Sequence, residues 1–118
     1  MIRGLTVLVT DDEPMIVTML AEMLRSAGHP VIEAVGAQEA VRVLQKRHVD
    51  AIVTDRDLLG VTGLLAAVKR PVPERRAAVV FLSSYADREN PAPNVLQKPF
   101  QMKELQRKVA DALAGRCG

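Results

Sequence analysis

Short, nearly continuous apolar runs alternate with segments of helical periodicity along the whole chain, and this alternation restricts the fold more than any other feature. Leu5 to Thr10 is β-branched and almost unbroken, which reads as a strand buried on both faces. An amphipathic helix follows, with Ile16, Val17, Leu20, Met23, Leu24 and Ala27 on one face, Pro14 suited to its first turn and Gly28 to its end. Val31 to Val35 reads as a second strand, and Ala37, Ala40, Val41 and Leu44 mark a second helix. Ala51 to Thr54 gives a third strand ending at Asp55, and a glycine-bearing loop through Gly60 leads to a short helix from Gly63 to Lys69. Pro71 and Pro73 end that helix. Ala77 to Leu82 and Val95 to Gln97 are the fourth and fifth strands, and a last helix spans Met102 to Ala114 with Leu105, Val109 and Leu113 inward. Strands alternating with helices predict an α/β domain, a parallel sheet covered on both faces.

Length and composition agree with one small domain over residues 1–118. Apolar residues make up 48% and charged residues 25% of the chain, which excludes disorder over most of its length. The apolar stretch at Leu5–Val9 stops at Asp11-Asp12-Glu13, too soon for a membrane span and with the wrong flank for a secretory signal. A single cysteine, Cys117, fits a reducing cytoplasm, and with two separated histidines it excludes a four-ligand Cys/His zinc site. The net charge of +2 raises nucleic acid as a partner, but base stacking needs aromatic side chains and the chain has only Phe81, Phe100 and Tyr85. Neither nucleic acid nor a membrane is therefore expected as a partner. His29 and His48 sit near predicted helix ends and receive no ligand role. The methionines at 15, 19 and 23 follow helical spacing and read as core or helix surface.

In parallel sheets of this kind active groups gather beyond the carboxyl ends of the strands. The first strand ends at Asp11 and Asp12, the third at Asp55, the fourth at Ser83 and the fifth at Lys98. Carboxylates converging at one edge repel each other unless a cation joins them, and Mg²⁺ is typically held by one or two carboxylates while keeping several waters. Lys98 adds a point charge suited to a phosphoryl oxygen, and Ser83 a hydroxyl donor. Carboxylate, metal, lysine and hydroxyl are the parts needed to accept a phosphoryl group on Asp55. Each part alone has a plainer reading. Asp11-Asp12 can cap a helix, Asp55 can serve a turn, Lys98 can be solvated, and Ser83 can satisfy strand-end backbone groups. Their joint order along five strands favours the chemical reading.

At these residues the chain resembles the receiver domain of bacterial response regulators. The matching pieces are Val7-Leu-Val-Thr-Asp-Asp-Glu-Pro14, Asp50-Ala-Ile-Val-Thr-Asp55 with Gly60 and Gly63, Val79-Val-Phe-Leu-Ser83, and Val95-Leu-Gln-Lys-Pro-Phe100. Together they span essentially the whole chain, and the serine and lysine segments are most similar to receivers attached to hybrid histidine kinases. The resemblance implies a flavodoxin-like, doubly wound, five-stranded parallel sheet of order 2-1-3-4-5. It also implies Asp55 as phospho-acceptor, with Asp11, Asp12, Asp55 and the backbone carbonyl of Asp57 around Mg²⁺. Ser83 and Lys98 would meet the phosphoryl group, with the Lys98-Pro99 bond in the cis form. The implied partners are a histidine kinase or phosphotransfer protein upstream and an unidentified protein downstream, and a homodimer is compatible with the pattern.

The chain departs from the family at four places. Leu59 replaces a usual proline, and Asp57 puts an acid two residues past the acceptor, facing either the metal or solvent. Val95 stands where the family commonly carries an aromatic. The crossover at residues 83–94 contains Pro91 and Pro93, so a fourth helix is expected to be shortened or absent there. With only Gly115 to Gly118 after the last helix, no effector module is expected to follow, although an excised domain would read the same way. Three functions compete: a phospho-accepting switch, a receiver-like module that binds protein without phosphate, and a haloacid-dehalogenase-type phosphatase suggested by Asp55-Arg56-Asp57. The last is the weakest, because those enzymes carry that motif on their first strand and need a longer chain.

Overall fold

The strands form in the short segments rich in apolar and β-branched residues, and their pairing in space fixes where each begins. In the computed structural model, which describes residues 5–69, 77–83 and 94–117, β1 runs Val7–Asp11, α1 Pro14–Arg25, β2 Val31–Val35 and α2 Ala37–Lys46. They are followed by β3 Ala51–Asp55, α3 Val61–Lys69, β4 Ala78–Ser83, β5 Val95–Gln97 and α4 Met102–Cys117. All pairings are parallel, and the sheet order is β2-β1-β3-β4-β5, as the resemblance implies.

Some boundaries differ from the sequence-based ones. The first strand begins at Val7, where pairing with Val31 and Ala51 starts. Thr6 lies ahead of it, donating its N–H to Asp50 Oδ2 at 2.8 Å. The third helix begins at Val61, two residues before Gly63, because Gly60 adopts φ +85° and closes the preceding turn. A Cβ at Gly60 would stand 3.2 Å from Ala37 Cβ, so the β3–α3 loop lies directly against α2. The last helix extends to Cys117, beyond Ala114. Four helices are present among the described residues. The expectation about a shortened or absent helix in the 83–94 crossover falls on residues 84–93, outside the described residues, as does Tyr85.

Side chains of a strand alternate between faces, and both faces of this sheet are covered. Val7, Val9, Val53, Val80 and Leu82 pack with Leu20 and Leu24 of α1 and Leu105 and Val109 of α4. Leu8 and Ile52 point the other way, against Ala40 of α2 and Leu64 of α3. This double burial accounts for strands with almost no polar residues before their last positions. The methionines divide by position on α1: Met15 is exposed, while Met23 packs against the first of these cores. Among the described residues no helix is long and apolar enough to cross a membrane.

Candidate functional site

Where the apolar runs end, polar side chains emerge at one edge of the sheet. Asp11 closes β1 and is 6% exposed. Its Oδ1 accepts the N–H of Glu13 at 2.9 Å, an Asx-type turn that directs the chain into α1, where Pro14 occupies the first turn. The N-cap of α1 is Glu13, with no side-chain cap hydrogen bond, so Asp11 shapes the entering turn and does not cap the helix. Asp12 is exposed, and its carboxylate points toward the β3–α3 loop, with Oδ2 at 3.5 Å from the Leu59 N–H, a long and weak contact. A Cβ at Gly36 would stand 3.8 Å from Asp12 Oδ1, so the β2–α2 junction also borders this carboxylate.

Asp55 ends β3 beside Leu82 of β4, and Ser83 pairs with Gln97 of β5. The Lys98 N–H donates to the Ser83 carbonyl at 2.7 Å, and the Lys98–Pro99 peptide is cis, as the resemblance implies. The Lys98 side chain then reaches across to β3, donating from Nζ to Asp55 Oδ2 at 2.8 Å. The other oxygen, Oδ1, accepts the Asp57 N–H at 2.9 Å, while the Asp55 carbonyl accepts the Leu58 N–H at 3.1 Å. Both oxygens of Asp55 are therefore held. Partial burial pushes the Asp55 carboxyl up, but the Lys98 hydrogen bond, the Asp57 N–H and the Lys98 charge outweigh it and hold the carboxyl below its ordinary value. Asp55 is thus ionised at neutral pH.

Of the residues singled out from sequence, the structure brings Asp55 and Lys98 into direct contact. Ser83 lies on the adjacent strand and is 1% exposed. The Asp57 side chain is exposed. Its contribution at Asp55 is its backbone N–H, which sequence reasoning missed because backbone direction in a turn leaves no mark on residue type. Asp11 and Asp12 stand at the neighbouring strand end, one residue and two beyond the paired Thr10 and Thr54. Among the described residues, no group of three or more His, Cys, Asp or Glu side chains is gathered as a metal-binding cluster. The donor chemistry nevertheless fits a hard, strongly hydrated cation, which needs only one or two carboxylates with water completing its shell. His29 and His48 lie elsewhere, on the Leu5 carbonyl at 3.3 Å and on Asp50 Oδ1 at 3.2 Å. An open, largely apolar groove of about 280 Å³ adjoins Lys98, lined by Ile16, Met19 and Met23 of α1 and by Pro99 and Phe100.

Residues 7–110 match the family model of the response regulator receiver domain. The phosphate regulon transcriptional regulatory protein PhoB of Pseudomonas aeruginosa is 30% identical over 119 residues, covering 93% of this chain and 52% of that protein. The chain spans about half the length of the curated relatives it matches. The structure of NtrX from Brucella abortus superposes with a TM-score of 0.81 at 26% identity, covering 97% of this chain and 28% of that one. A response regulator receiver domain protein from Clostridium thermocellum has the same fold, with a TM-score of 0.79, 24% identity and coverage of 95% of this chain and 96% of that one. With its sheet order, its strand-end residues and a family match over nearly its full length, the chain belongs to the response regulator receiver domains, signalling domains of two-component systems.

Proposed function

We propose that this domain is a phospho-accepting switch in which Asp55 takes a phosphoryl group from a histidine kinase or a histidine phosphotransfer protein. The observation that carries the reading is the 2.8 Å contact between Lys98 Nζ and Asp55 Oδ2, formed between the last residue of β3 and the residue that follows β5, two strands that are not neighbours in the sheet. An Asp55 carboxylate oxygen attacks phosphorus, the P–N bond to the donor imidazole breaks, and the imidazole leaves with the bonding pair and takes up a proton. An acyl phosphate is left on Asp55. The Asp57 N–H orients the carboxylate before attack. Lys98 exchanges its carboxylate oxygen for a phosphoryl oxygen, and the Ser83 hydroxyl stands on the intervening strand to donate to another. Asp11 and Asp12, with Asp55 and the Asp57 carbonyl, would hold Mg²⁺, which when bound neutralises phosphoryl charge. The apolar groove beside Lys98 gives a protein donor a surface on which to seat.

Intact-mass analysis after incubation with acetyl phosphate and Mg²⁺ tests the proposal. One labile phosphoryl adduct is expected, absent from Asp55→Asn and absent without metal. If neither acetyl phosphate nor a phosphorylated histidine donor yields an adduct while Asp55→Asn leaves partner binding unchanged, the domain works instead as a phosphate-independent binding module.

A further inference from the structure

The first strand of the sheet order, β2, has a neighbour on one side only among the described residues. The Val7 N–H donates to the Pro30 carbonyl and the Gly36 N–H to the Asp11 carbonyl, so the even-numbered backbone groups of this segment face β1. Because a strand alternates, the N–H and C=O groups of Val31, Glu33 and Val35 face outward, along the free edge. Such an edge is a template for pairing with another chain.

Two of these outward groups are already bonded to side chains. Arg25, the last residue of α1, donates from Nη2 to the Val31 carbonyl at 3.0 Å and from Nη1 to Glu33 Oε2 at 2.9 Å. At the other end, Glu39 of α2 accepts the Val35 N–H on Oε1 at 3.2 Å. These two groups have a particular relation. In an antiparallel, two-fold pairing of β2 with a second copy, centred on Glu33, the Val35 N–H of one copy must donate to the Val31 carbonyl of the other. Each side chain therefore occupies a backbone group that the other's backbone group would otherwise bond across the two-fold. Glu33 would also face its own copy at the centre, a like-charge pairing.

We propose that Arg25 and Glu39 close the β2 edge against strand pairing with a second copy of this chain. The guard is local: it uses the ends of the two helices that flank β2 and leaves the strand-end site untouched.

A disulfide trap reads the pairing directly. In the proposed register residue 33 faces its own copy with Cα atoms about 5.5 Å apart, within disulfide reach. The parent is the full chain carrying Glu33→Cys and Cys117→Ser, oxidised mildly at fixed concentration. Adding Arg25→Ala and Glu39→Ala is expected to raise the trapped dimer about tenfold, since two backbone groups regain their hydrogen-bonding capacity. Arg25→Lys with Glu39→Gln keeps a donor and an acceptor at the same places and is expected to stay at the parent level. Circular dichroism checks folding, and single Arg25→Ala serves if the double alanine variant unfolds. In the chain retaining Glu33, the Arg25→Ala, Glu39→Ala pair is expected to slow exchange of the Glu33 amide as concentration rises. Equal trapping in parent, alanine and conservative variants overturns the proposal, and so does an alanine variant whose Glu33 amide exchanges at a rate independent of concentration.

Discussion

Replacing Lys98 by alanine removes the ammonium 2.8 Å from Asp55 Oδ2 and leaves the carboxylate with the Asp57 N–H alone of its two held contacts. Two unit charges about 4 Å apart attract by about 4 kcal/mol at an effective dielectric constant near 20. The Lys98 and Asp55 side chains are 39% and 24% exposed, so water and salt cancel most of that attraction. Exposed pairs contribute about 0.2–1 kcal/mol, and hydrogen bonds to charged groups about 1.5–3 kcal/mol. With the exposure discounted, Lys98→Ala is expected to cost about 1 kcal/mol at pH 7. The pH dependence follows from the direction of the Asp55 shift. A carboxyl held below its ordinary value in the folded chain adds stability that is complete above its unfolded value, about 3.9. That stability is lost as pH falls through the folded value. The gap between wild type and Lys98→Ala should therefore persist from pH 7 to about pH 5 and close as Asp55 is protonated in both folded and unfolded chains. Urea unfolding at a series of pH values measures the gap, and carbon NMR of the Asp55 carboxyl should show it titrating higher in the variant. A gap that stays constant down to pH 3, or a variant more stable than wild type at pH 7, would refute the reasoning.

Gly60 and Gly63 should respond oppositely to alanine. Gly60→Ala puts a Cβ 3.2 Å from Ala37 at φ +85° and should cost about 1–2 kcal/mol, whereas Gly63→Ala enters open space in α3 and should stabilise by about 0.5–1 kcal/mol. Thermal unfolding of the two variants decides it, and shifts of the same sign would contradict the local geometry. Asp12→Asn should weaken Mg²⁺ binding about tenfold or more by removing an anionic oxygen donor, while Asp57→Asn should leave it unchanged because Asp57 acts at Asp55 through its backbone N–H. Titration calorimetry with Mg²⁺ separates the two, and equal losses would place the Asp57 carboxylate in the metal shell.

Much of the fold was legible because local and global requirements coincide. β2 and β5 lie at Val31–Val35 and Val95–Gln97, as the β-branched and apolar runs predict. The start of β1 was not legible to the residue, since Leu5 and Val7 are equally apolar and only partner strands decide where the ladder begins. The start of α3 was misplaced because Gly60 and Gly63 look alike in sequence, while only Gly60 takes a positive φ. At the site, the acidic residues and Lys98 were legible as strand-end polar groups. The role of the Asp57 N–H was not, because every residue except proline carries one.

The order of apolar runs and helical segments, read from the sequence alone, determined that the chain forms a two-faced parallel sheet with Asp11, Asp55, Ser83 and Lys98 at its strand ends. Side-chain periodicity is a local property, and burial on both faces writes it directly into residue type. Which ends become neighbours was decided only by tertiary structure. Placing β1 between β2 and β3 sets the carboxyl end of β1, where Asp11 stands, next to that of β3, and placing β4 and β5 beyond β3 lets Lys98 reach a carboxylate 43 residues earlier in the chain. Among the described residues the same packing leaves β2 at an edge, where Arg25 and Glu39 meet its outward backbone groups. Strand adjacency depends on how helices of particular length and face cover the two sides of the sheet together, and no single segment of sequence carries that information.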